Sequence, residues 1–225
     1  MKALRKRKSA RTTSKPIERV LAFTLLELMV VIAAVILIFV MLLSGLIRWK
    51  HKAAQIDCVT NLKTIGMAFR VFAHDHEGLF PMKTPSTMGG ASEYATMPDS
   101  AFRQFQSLSN DLGRTGLIIC PNDNRFAANT WSQMGNSNSS YFVGLDAAET
   151  NQSSFLCGDR NLVSSSRLVI NLSVEKDVKW HPEQGLHGNQ GNVAFGDGHV
   201  EKLDSSLLKR AMQNYGNETN RLAVP

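Results

Sequence analysis

An uncharged apolar run near the start of the chain constrains the fold more than any other feature. From Leu28 to Ile47 the sequence contains no charged residue. That length is close to the roughly 20 residues with which an α-helix crosses a bilayer core of about 30 Å. One carboxylate, Glu27, lies at the N-terminal edge of the run. A charge is costly there, so we expect Glu27 to be functional and to have a positively charged partner.

The positive charge of the chain is concentrated before this run. The formal net charge is +6, and residues 1–22 contain eight Lys or Arg and one Glu, a net of +7. The remaining residues therefore sum to about −1. A basic segment before an apolar span predicts a cytoplasmic N-terminus. A nucleic-acid-binding domain would carry its charge on the folded part, so we expect no nucleic-acid partner.

Two simpler interpretations of the apolar run are a secretory signal peptide and a plain signal anchor. The apolar region of a signal peptide is shorter, roughly 7–15 residues, and lies before the cleavage site. A plain anchor would carry Glu27 by accident, at an energetic cost that argues against it.

The residues around Glu27 resemble a known processing signal. Phe23-Thr24-Leu25-Leu26-Glu27-Leu28, after a small residue and a basic leader, is similar to the N-terminal signal of type IV pilins and type II secretion pseudopilins. The resemblance implies cleavage by prepilin peptidase between Ala22 and Phe23, with methylation of the new Phe23 amine. It also implies that Glu27 pairs with the N-terminal amine of a neighbouring subunit. Ala22 departs from the family, which usually has Gly there.

A second resemblance covers most of residues 22–202. The stretches Cys58–Ala68, His76–Pro81, Cys120–Asp123 and Ser140–Asp146 resemble pseudopilin-like proteins abundant in planctomycete and verrucomicrobial genomes. Those proteins share a C-terminal His-x9-Asp-Gly signature, present here as His187, Asp197 and Gly198.

The same group also has cysteines at the positions of Cys58 and Cys120. The resemblance therefore implies a disulfide between them, in an oxidising periplasm. The third cysteine, Cys157, leaves open an alternative bridge from Cys120 to Cys157 that would join two strands.

The helical period continues beyond the apolar run. Apolar residues recur at spacings of three and four from Ala54 to Phe72, which predicts an amphipathic helix. We predict one helix from about Thr24 to about His76, ended by Gly78 and Pro81. Two helices hinged near Arg48 are the alternative.

The residues after the N-terminal helix are predicted to form short strands and two short helices. The predicted helices are Ala101–Leu108, ending near Gly113, and Ser205–Asn214, and residues 82–100 and 127–140 are predicted loops. Gly196-Asp197-Gly198 is predicted to be a hairpin loop. The predicted strands are Leu117–Cys120, Tyr141–Leu145, Ser154–Cys157, Leu168–Leu172, Asn192–Phe195 and His199–Leu203.

These elements predict an α+β fold in which a long N-terminal helix, running from the membrane into the periplasm, packs on a small antiparallel β-sheet, as in pilins. The predicted organisation is a leader (1–22), the transmembrane half of the helix (23–47), its amphipathic half (48–78) and a periplasmic head (79–225).

No metal site is predicted from the histidines. His181, His187 and His199 with Asp197 have no familiar zinc-ligand spacing. We expect Asp197 and Gly198 to make a turn, with His187 hydrogen-bonded across to it or to a neighbouring strand.

Calcium is the one cofactor that the resemblance raises, because major pseudopilins bind it through loop oxygens near the C-terminus. The oxygen donors available here are Asp146, Asp159 and Asp197, and no Asp-x-Asp run accompanies them. No nucleophile motif is present either, so we expect the chain not to be an enzyme.

The resemblance implies a structural pseudopilin subunit of a type II secretion pseudopilus or a type IV pilus-like filament. Its expected partners are prepilin peptidase, other pseudopilins through the N-terminal helix, and the inner membrane. It would be single-pass, with a cytoplasmic N-terminus and a periplasmic C-terminal domain. The alternative is a periplasmic binding or adhesive domain on a signal anchor, with a ligand surface on the loops at 82–100 and 127–140.

Overall fold

A computed structural model describes residues 24–95, 97, 99–163, 169–171, 178–182, 186–214 and 221–225, with residues 44–52 described by their backbone alone. The leader and the Ala22–Phe23 junction lie outside these residues. The chain divides into two compact units, Met1–Leu46 and Ile47–Pro225.

The N-terminal helix, α1, runs from Leu25–Asp75 as one element of 51 residues. This agrees with the prediction of a single helix to within one residue at each end, and the helix is not divided at Arg48. Its C-terminus is closed by Gly78, whose φ of +80° is accessible to glycine and whose N–H donates to the Ala73 carbonyl at 2.8 Å.

The described part of the first unit is the apolar half of α1. The segment Leu25–Leu43 is long and apolar enough to cross a membrane, and it is the one such helix among the described residues. Its large apolar side chains are all exposed. The sequence prediction of a membrane-spanning segment is therefore supported by length, composition and exposure.

The second unit is built on a six-stranded sheet in the order β4-β8-β1-β2-β6-β7, in which every neighbouring pair is antiparallel. A separate two-stranded sheet pairs β3 with β5. The strands are β1 Tyr141–Gly144, β2 Phe155–Asp159, β3 Leu162–Val163, β4 Val169–Asn171, β5 Lys179–Trp180, β6 Gln190–Phe195, β7 Val200–Asp204 and β8 Arg221–Ala223.

One face of the large sheet packs against the second half of α1. Helix residues at spacings of four and three are buried in one cluster with residues of the central strands β1, β2 and β6. The helix contributes Cys58, Leu62, Ile65, Phe69 and Phe72, and the strands contribute Tyr141, Val143, Cys157 and Ala194. The α+β class and the packing of a helix on an antiparallel sheet are thus confirmed.

The opposite face is covered by the C-terminal helix α4, Ser205–Gln213, through Leu208. The Asp204 carboxylate caps this helix by accepting from the N–H groups of Ser206 and Leu207. A register shift in β2 between Phe155 and Cys157 turns Phe155 into this second core, while Cys157 stays in the first.

The prediction of a strand at Leu117–Cys120 is wrong. Residues Thr115–Ile118 form a 3₁₀ helix, and Ile118 and Cys120 are buried against α1 without joining a strand ladder. The carbonyl of Ile118 accepts from Ser140 N–H and that of Ile119 from the Asn61 amide. The buried carbonyl groups of this segment thus have hydrogen-bond donors in Ser140 and in α1. A buried apolar run whose backbone groups have such partners does not need to join a sheet.

The predicted helix Ala101–Leu108 is two short helices, α2 (Ala101–Gln106) and α3 (Ser109–Leu112), which ends at Gly113 as predicted. The predicted loops at 82–100 and 127–140 contain short 3₁₀ helices. They also bury side chains in the core, among them Met82 and Met134, so they are packed segments rather than free surface loops.

Three strands were not predicted, and one of them, β8, is an interior strand of the large sheet. β8 lies between β4 and β1, and β3 and β5 form the small sheet. β8 is held by Arg221, which forms an ion pair of 2.6 Å with Asp146 and donates its backbone N–H to the same carboxylate. A three-residue strand at the end of a chain has too little periodicity to be recognised from sequence.

Candidate functional site

Glu27 lies in the first turn of α1, on a helix whose large apolar residues are exposed. The helix is preceded by Thr24, whose hydroxyl accepts from Glu27 N–H at 3.3 Å and whose carbonyl accepts from Leu28 N–H at 3.1 Å. None of the ion pairs formed among the described residues includes Glu27. A carboxylate in such a setting requires a cation from outside this part of the chain if the helix enters lipid.

The Asp197-Gly198 part of the signature is a turn between β6 and β7, as the sequence predicted. Gly198 has a φ of +88°, and an added Cβ would lie 3.3 Å from the Arg70 side chain on α1. Arg70 donates to the Asp197 carbonyl at 3.1 Å. The Asp197 carboxylate contacts His199, whose ring stacks on Phe195. The turn therefore fixes the sheet to α1.

The third signature residue, His187, lies in a different cluster. Its Nε2 is 3.4 Å from the Cys120 sulfur and 3.5 Å from Asp159 Oδ2. Its Nδ1 is 3.4 Å from the Asn122 amide nitrogen. The side chain is only 1% exposed. His187 thus lies near β2 through Asp159, but its hydrogen-bond contacts are with Cys120 and Asn122, and the expected hydrogen bond to the turn or to a strand is not among them.

Asp159, at the end of β2, is the charged centre of this cluster. It is completely buried, and its Oδ2 accepts from the backbone and side-chain N–H groups of Asn192 at 2.6 and 2.9 Å. Its other oxygen, Oδ1, has no hydrogen-bond partner among the described residues. Tyr141, which is paired with Asp159 in the β1–β2 register, is also completely buried.

Burial shifts the acid–base properties of the cluster. Desolvation raises the pKa of Asp159 to about 7, against the two Asn192 hydrogen bonds, which lower it. Desolvation, with a smaller effect from Lys202, lowers the pKa of His187 to about 4. Near neutral pH the imidazole is therefore uncharged, and the carboxyl group is close to its midpoint.

The cysteines next to this cluster form a single bridge. Cys58 on α1 and Cys120 are joined in a disulfide, the pairing that the resemblance implies. Cys157 is a buried free thiol, and burial raises its pKa, so the alternative Cys120–Cys157 bridge is not formed. The disulfide connects the helix to the segment that follows the 3₁₀ helix Thr115–Ile118.

The three carboxylates considered as calcium donors are engaged separately. Asp146 pairs with Arg221, Asp159 lies beside His187 and Asn192, and Asp197 contacts His199. Among the described His, Cys, Asp and Glu residues, ligand atoms of three residues lie within 4.8 Å of one another only at Cys58, Cys120 and His187. The three aspartates thus do not form such a group.

A shallow groove of about 500 Å³ runs beside α1. Its lining includes Ile56, Val59 and Lys63 of the helix with Asn192 and Lys202 of the sheet. It is mainly apolar with two cationic side chains, Lys63 and Lys202.

The polar cluster around Asp159 and His187 was not predicted from the sequence. Asp159 was considered only as a calcium donor, and neither Asn122 nor Asn192 was singled out. The sequence did contain one indication of this cluster. Asp159 lies two residues after the predicted strand Ser154–Cys157, separated from it by Gly158. A carboxylate that extends a fully buried strand must be paired or protonated, and this points to a polar site.

Comparisons with protein-family models, with curated proteins and with solved structures each found no match for this chain.

Proposed function

We propose that this chain is a structural pseudopilin-type subunit, which is cleaved by prepilin peptidase and assembles into a filament of the type II secretion or type IV pilus kind. In this proposal it is not an enzyme. The helix α1 provides the assembly surface, and the α+β head forms the exterior of the filament.

The observation that carries the proposal is the position of Glu27 at the start of an exposed apolar helix. The large side chains of Leu25–Leu43 are exposed, so this segment needs a lipid or protein environment. Glu27 has no described cationic partner. An anchor that merely held the head at a membrane would gain nothing from a carboxylate there.

A neighbouring subunit can supply the missing cation. Cleavage between Ala22 and Phe23 would create a free ammonium at Phe23, a second charge that is costly in lipid. Two subunits staggered along their helix axes would satisfy both charges in one pair. Such a pair gives a driving force for helix association that lipid does not otherwise provide, because apolar helices gain little by leaving lipid for one another.

The charge distribution and the disulfide support the orientation. The basic leader favours a cytoplasmic N-terminus by the positive-inside rule. The Cys58–Cys120 disulfide lies in the unit on the other side of the apolar segment, and such bonds persist in oxidising compartments. An inner-membrane protein with a periplasmic head is consistent with both features.

The test is Glu27→Gln, which removes the charge at nearly constant volume. We expect the variant to be inserted and cleaved normally, but to lose crosslinking between subunits in native membranes. Glu201→Gln, which changes an exposed carboxylate of the head, is the matched control and should crosslink as the wild type does. Equal crosslinking of the two variants would contradict the proposal.

N-terminal sequencing of the membrane-bound protein tests the processing step separately. A mature start at Phe23 is expected. If residues 1–22 are still attached, the ammonium partner of Glu27 does not form, and assembly through this pair fails.

The groove beside α1 favours a second candidate, a signal-anchored periplasmic binding domain. Its apolar lining with Lys63 and Lys202 suits a ligand that is apolar and acidic. A binding domain would keep its ligand affinity in the Glu27→Gln variant and would show no subunit crosslinking even in the wild type. The crosslinking experiment therefore separates the two candidates.

A further inference from the structure

His76 directly follows the last residue of α1 and contacts two backbone carbonyl groups with its side chain. Its Nδ1 is 2.7 Å from the Phe72 carbonyl oxygen, one turn back on the helix. Its Nε2 is 2.8 Å from the carbonyl oxygen of Met88, which ends the 3₁₀ helix Ser86–Met88. Both separations are those of a normal hydrogen bond. One imidazole ring therefore joins the end of α1 to a separate segment of the head.

The two carbonyl partners determine the protonation state of the ring. A carbonyl oxygen can only accept a hydrogen bond, so the ring nitrogen that faces it must donate. A neutral imidazole has one N–H, and its other nitrogen would turn a lone pair toward an oxygen less than 3 Å away. A ring rotated by 180° would present carbon atoms to both oxygens and would lose both bonds. The imidazolium is the form that donates from both nitrogens.

The surroundings of the ring also favour a positive charge. The ring stacks on Phe72, with centroids 3.8 Å apart and an angle of 4° between the planes, and an aromatic face attracts a cation. The helix dipole of α1 stabilises positive charge at its C-terminal end. The backbone N–H of His76 donates to Ala73 at 3.1 Å, so Nδ1–H supplies the donor for the Phe72 carbonyl.

No carboxylate pairs with this ring in the described part of the chain. The ion pairs found there do not include His76. Glu93, on the side of the 3₁₀ helix, accepts from Ser86 N–H at 3.0 Å instead. The other titratable groups beside the two contacting segments are exposed, and these are His74, Asp75, Glu77 and Lys83. The direct partners of the ring are therefore two carbonyl groups and one aromatic face.

The segment that His76 holds is the tip of a closed loop. Ser92 N–H donates to the Thr84 carbonyl at 3.0 Å and closes the loop at its base. Residues 85–89, which we call the tip, are all exposed. Because the tip buries little surface of its own, we expect its position to depend strongly on the hydrogen bond from His76 to Met88.

We propose that His76 is a pH-sensitive tether, which holds the tip against the end of α1 while the ring is protonated and releases it when the proton is lost. Histidine changes its charge between about pH 5 and pH 8. Loss of the proton replaces one of the two hydrogen bonds by two facing lone pairs. The Nδ1 bond caps a helix, whereas the Nε2 bond reaches an exposed loop, so the tip is the part that moves.

The sign of the effect follows from the proton. Both hydrogen bonds need the protonated ring, so the contact is present at acid pH and is lost as the pH rises. The tether thus makes the surface formed by the tip, which includes the exposed Met88, dependent on pH. It goes beyond the proposed function, because it requires neither Glu27 nor assembly into a filament.

Hydrogen exchange of the full-length protein in detergent, read by mass spectrometry, tests the release. Met88 and Gly89 donate their N–H groups within the tip, to Pro85 and Ser86, so their protection reports on the closed loop. We expect the protection of residues 84–91, corrected for the intrinsic exchange rate, to fall about tenfold or more from about pH 5.5 to about pH 8.5. A change of this size corresponds to the loss of a hydrogen bond to a charged group.

Two variants assign the effect to one ring. His76→Gln should show the low protection of the wild type at high pH throughout this range. His74→Gln removes an exposed histidine from the last turn of the same helix and is the matched control. It should keep the pH dependence of the wild type. The proposal is overturned if the wild-type protection does not change with pH, or if His76→Gln keeps the wild-type dependence.

The unaltered chain provides a test that does not depend on a variant being folded. In protein labelled with ¹⁵N-histidine, the nitrogen chemical shifts distinguish a protonated ring nitrogen from an unprotonated one. At the acid end of the range we expect both nitrogens of His76 to be protonated and both N–H groups to be hydrogen-bonded. An unprotonated His76 nitrogen at a pH where the tip is still protected would overturn the proposal.

Discussion

The two described halves of α1 have the same secondary structure but opposite relations to their surroundings. Between Leu25 and Leu43 the large apolar side chains are exposed, whereas between Cys58 and Ala73 an apolar stripe is buried in the head. The helical backbone alone therefore does not determine what a helix packs against. The arrangement of apolar residues around the helix decides whether it packs in the core of a domain or needs lipid or other helices around it.

The reason lies in the width of the apolar surface. The second half repeats buried residues at spacings of four and three, and leaves Met67 and Val71 on its outer side. One face of this half packs in the core, and its other faces are exposed to water. The first half has no polar face, and an all-apolar helix is stable only when it is surrounded by lipid or by other helices.

The largest effect is expected in the buried half. Phe69 is completely buried and packs edge-on against Phe80 and Phe105, with ring centroids 5.9 and 6.3 Å away. Phe69→Ala should lower the free energy of unfolding of the head by about 3–5 kcal/mol. Urea unfolding of the full chain in detergent, followed by tryptophan fluorescence, measures this loss.

Met67→Ala is the control for this change. Met67 lies on the same helix but is 59% exposed, so its substitution should alter the free energy of unfolding by no more than about 0.5 kcal/mol. Similar losses for the two variants would mean that the helix does not use one face for the core.

The next effect concerns the covalent link between α1 and the head. The Cys58–Cys120 disulfide closes a loop with a sequence separation of 62 residues. Replacing both cysteines by Ala should cost about 2–4 kcal/mol, because the unfolded chain gains the freedom that the loop had removed. The midpoint of urea unfolding reports the loss. If Cys157→Ala, which leaves the bridge intact, costs as much, the disulfide contributes nothing beyond burial.

The third prediction concerns pH and the buried pair under α1. The unfolded Asp159 loses its proton near pH 3.8, whereas in the folded chain its pKa is about 7. Between these values the folded state holds the extra proton, so this group makes the free energy of unfolding fall as pH rises, by at most about 1.4 kcal/mol per unit.

His187 has the opposite effect. Its pKa is lowered from 6.5 to about 4, so between these values the unfolded state binds the extra proton and stability rises with pH. The two slopes nearly cancel in the wild type. Relative to wild type, His187→Gln should therefore lose stability as pH rises from 4 to 6.5, and Asp159→Asn should gain it.

Urea unfolding at half-unit pH steps measures these slopes. Asp111→Asn, at an exposed carboxylate of α3, is the control and should keep the wild-type profile. If both buried variants follow the wild-type profile as well, the pair does not titrate in the way that its burial requires.

The smallest effect is expected in the exposed half. Ile36 is 58% exposed, so Ile36→Ala should change the free energy of unfolding of the head by no more than about 0.5 kcal/mol. A loss as large as that of Phe69→Ala would show that the first half of the helix also supports the head, which would remove the contrast between the two halves.

Much of the fold could be predicted because helical periodicity is local. The length of α1, its apolar first half and its buried stripe all follow from residue spacing within a few turns. The hairpin around Asp197 and Gly198 could be predicted for the same reason, since its glycines mark a tight turn.

The candidate sites divide in the same way. Glu27 stands out in the sequence because a charge interrupts an apolar segment. The cluster of Cys120, Asp159 and His187 does not, because its members lie far apart along the chain and no spacing rule joins them. The position of β8 between β4 and β1 could not be predicted either, since a three-residue strand does not specify its pairing partners.

The sequence by itself determined the apolar helix, the acid at its start and the alternation of short strands, because these depend on neighbours within one turn or one hairpin. Only the tertiary structure decided that the disulfide, a neutral histidine and a buried carboxylate meet beneath α1. Such a meeting depends on strand order and on the depth at which the helix packs, and both result from contacts between residues distant in sequence.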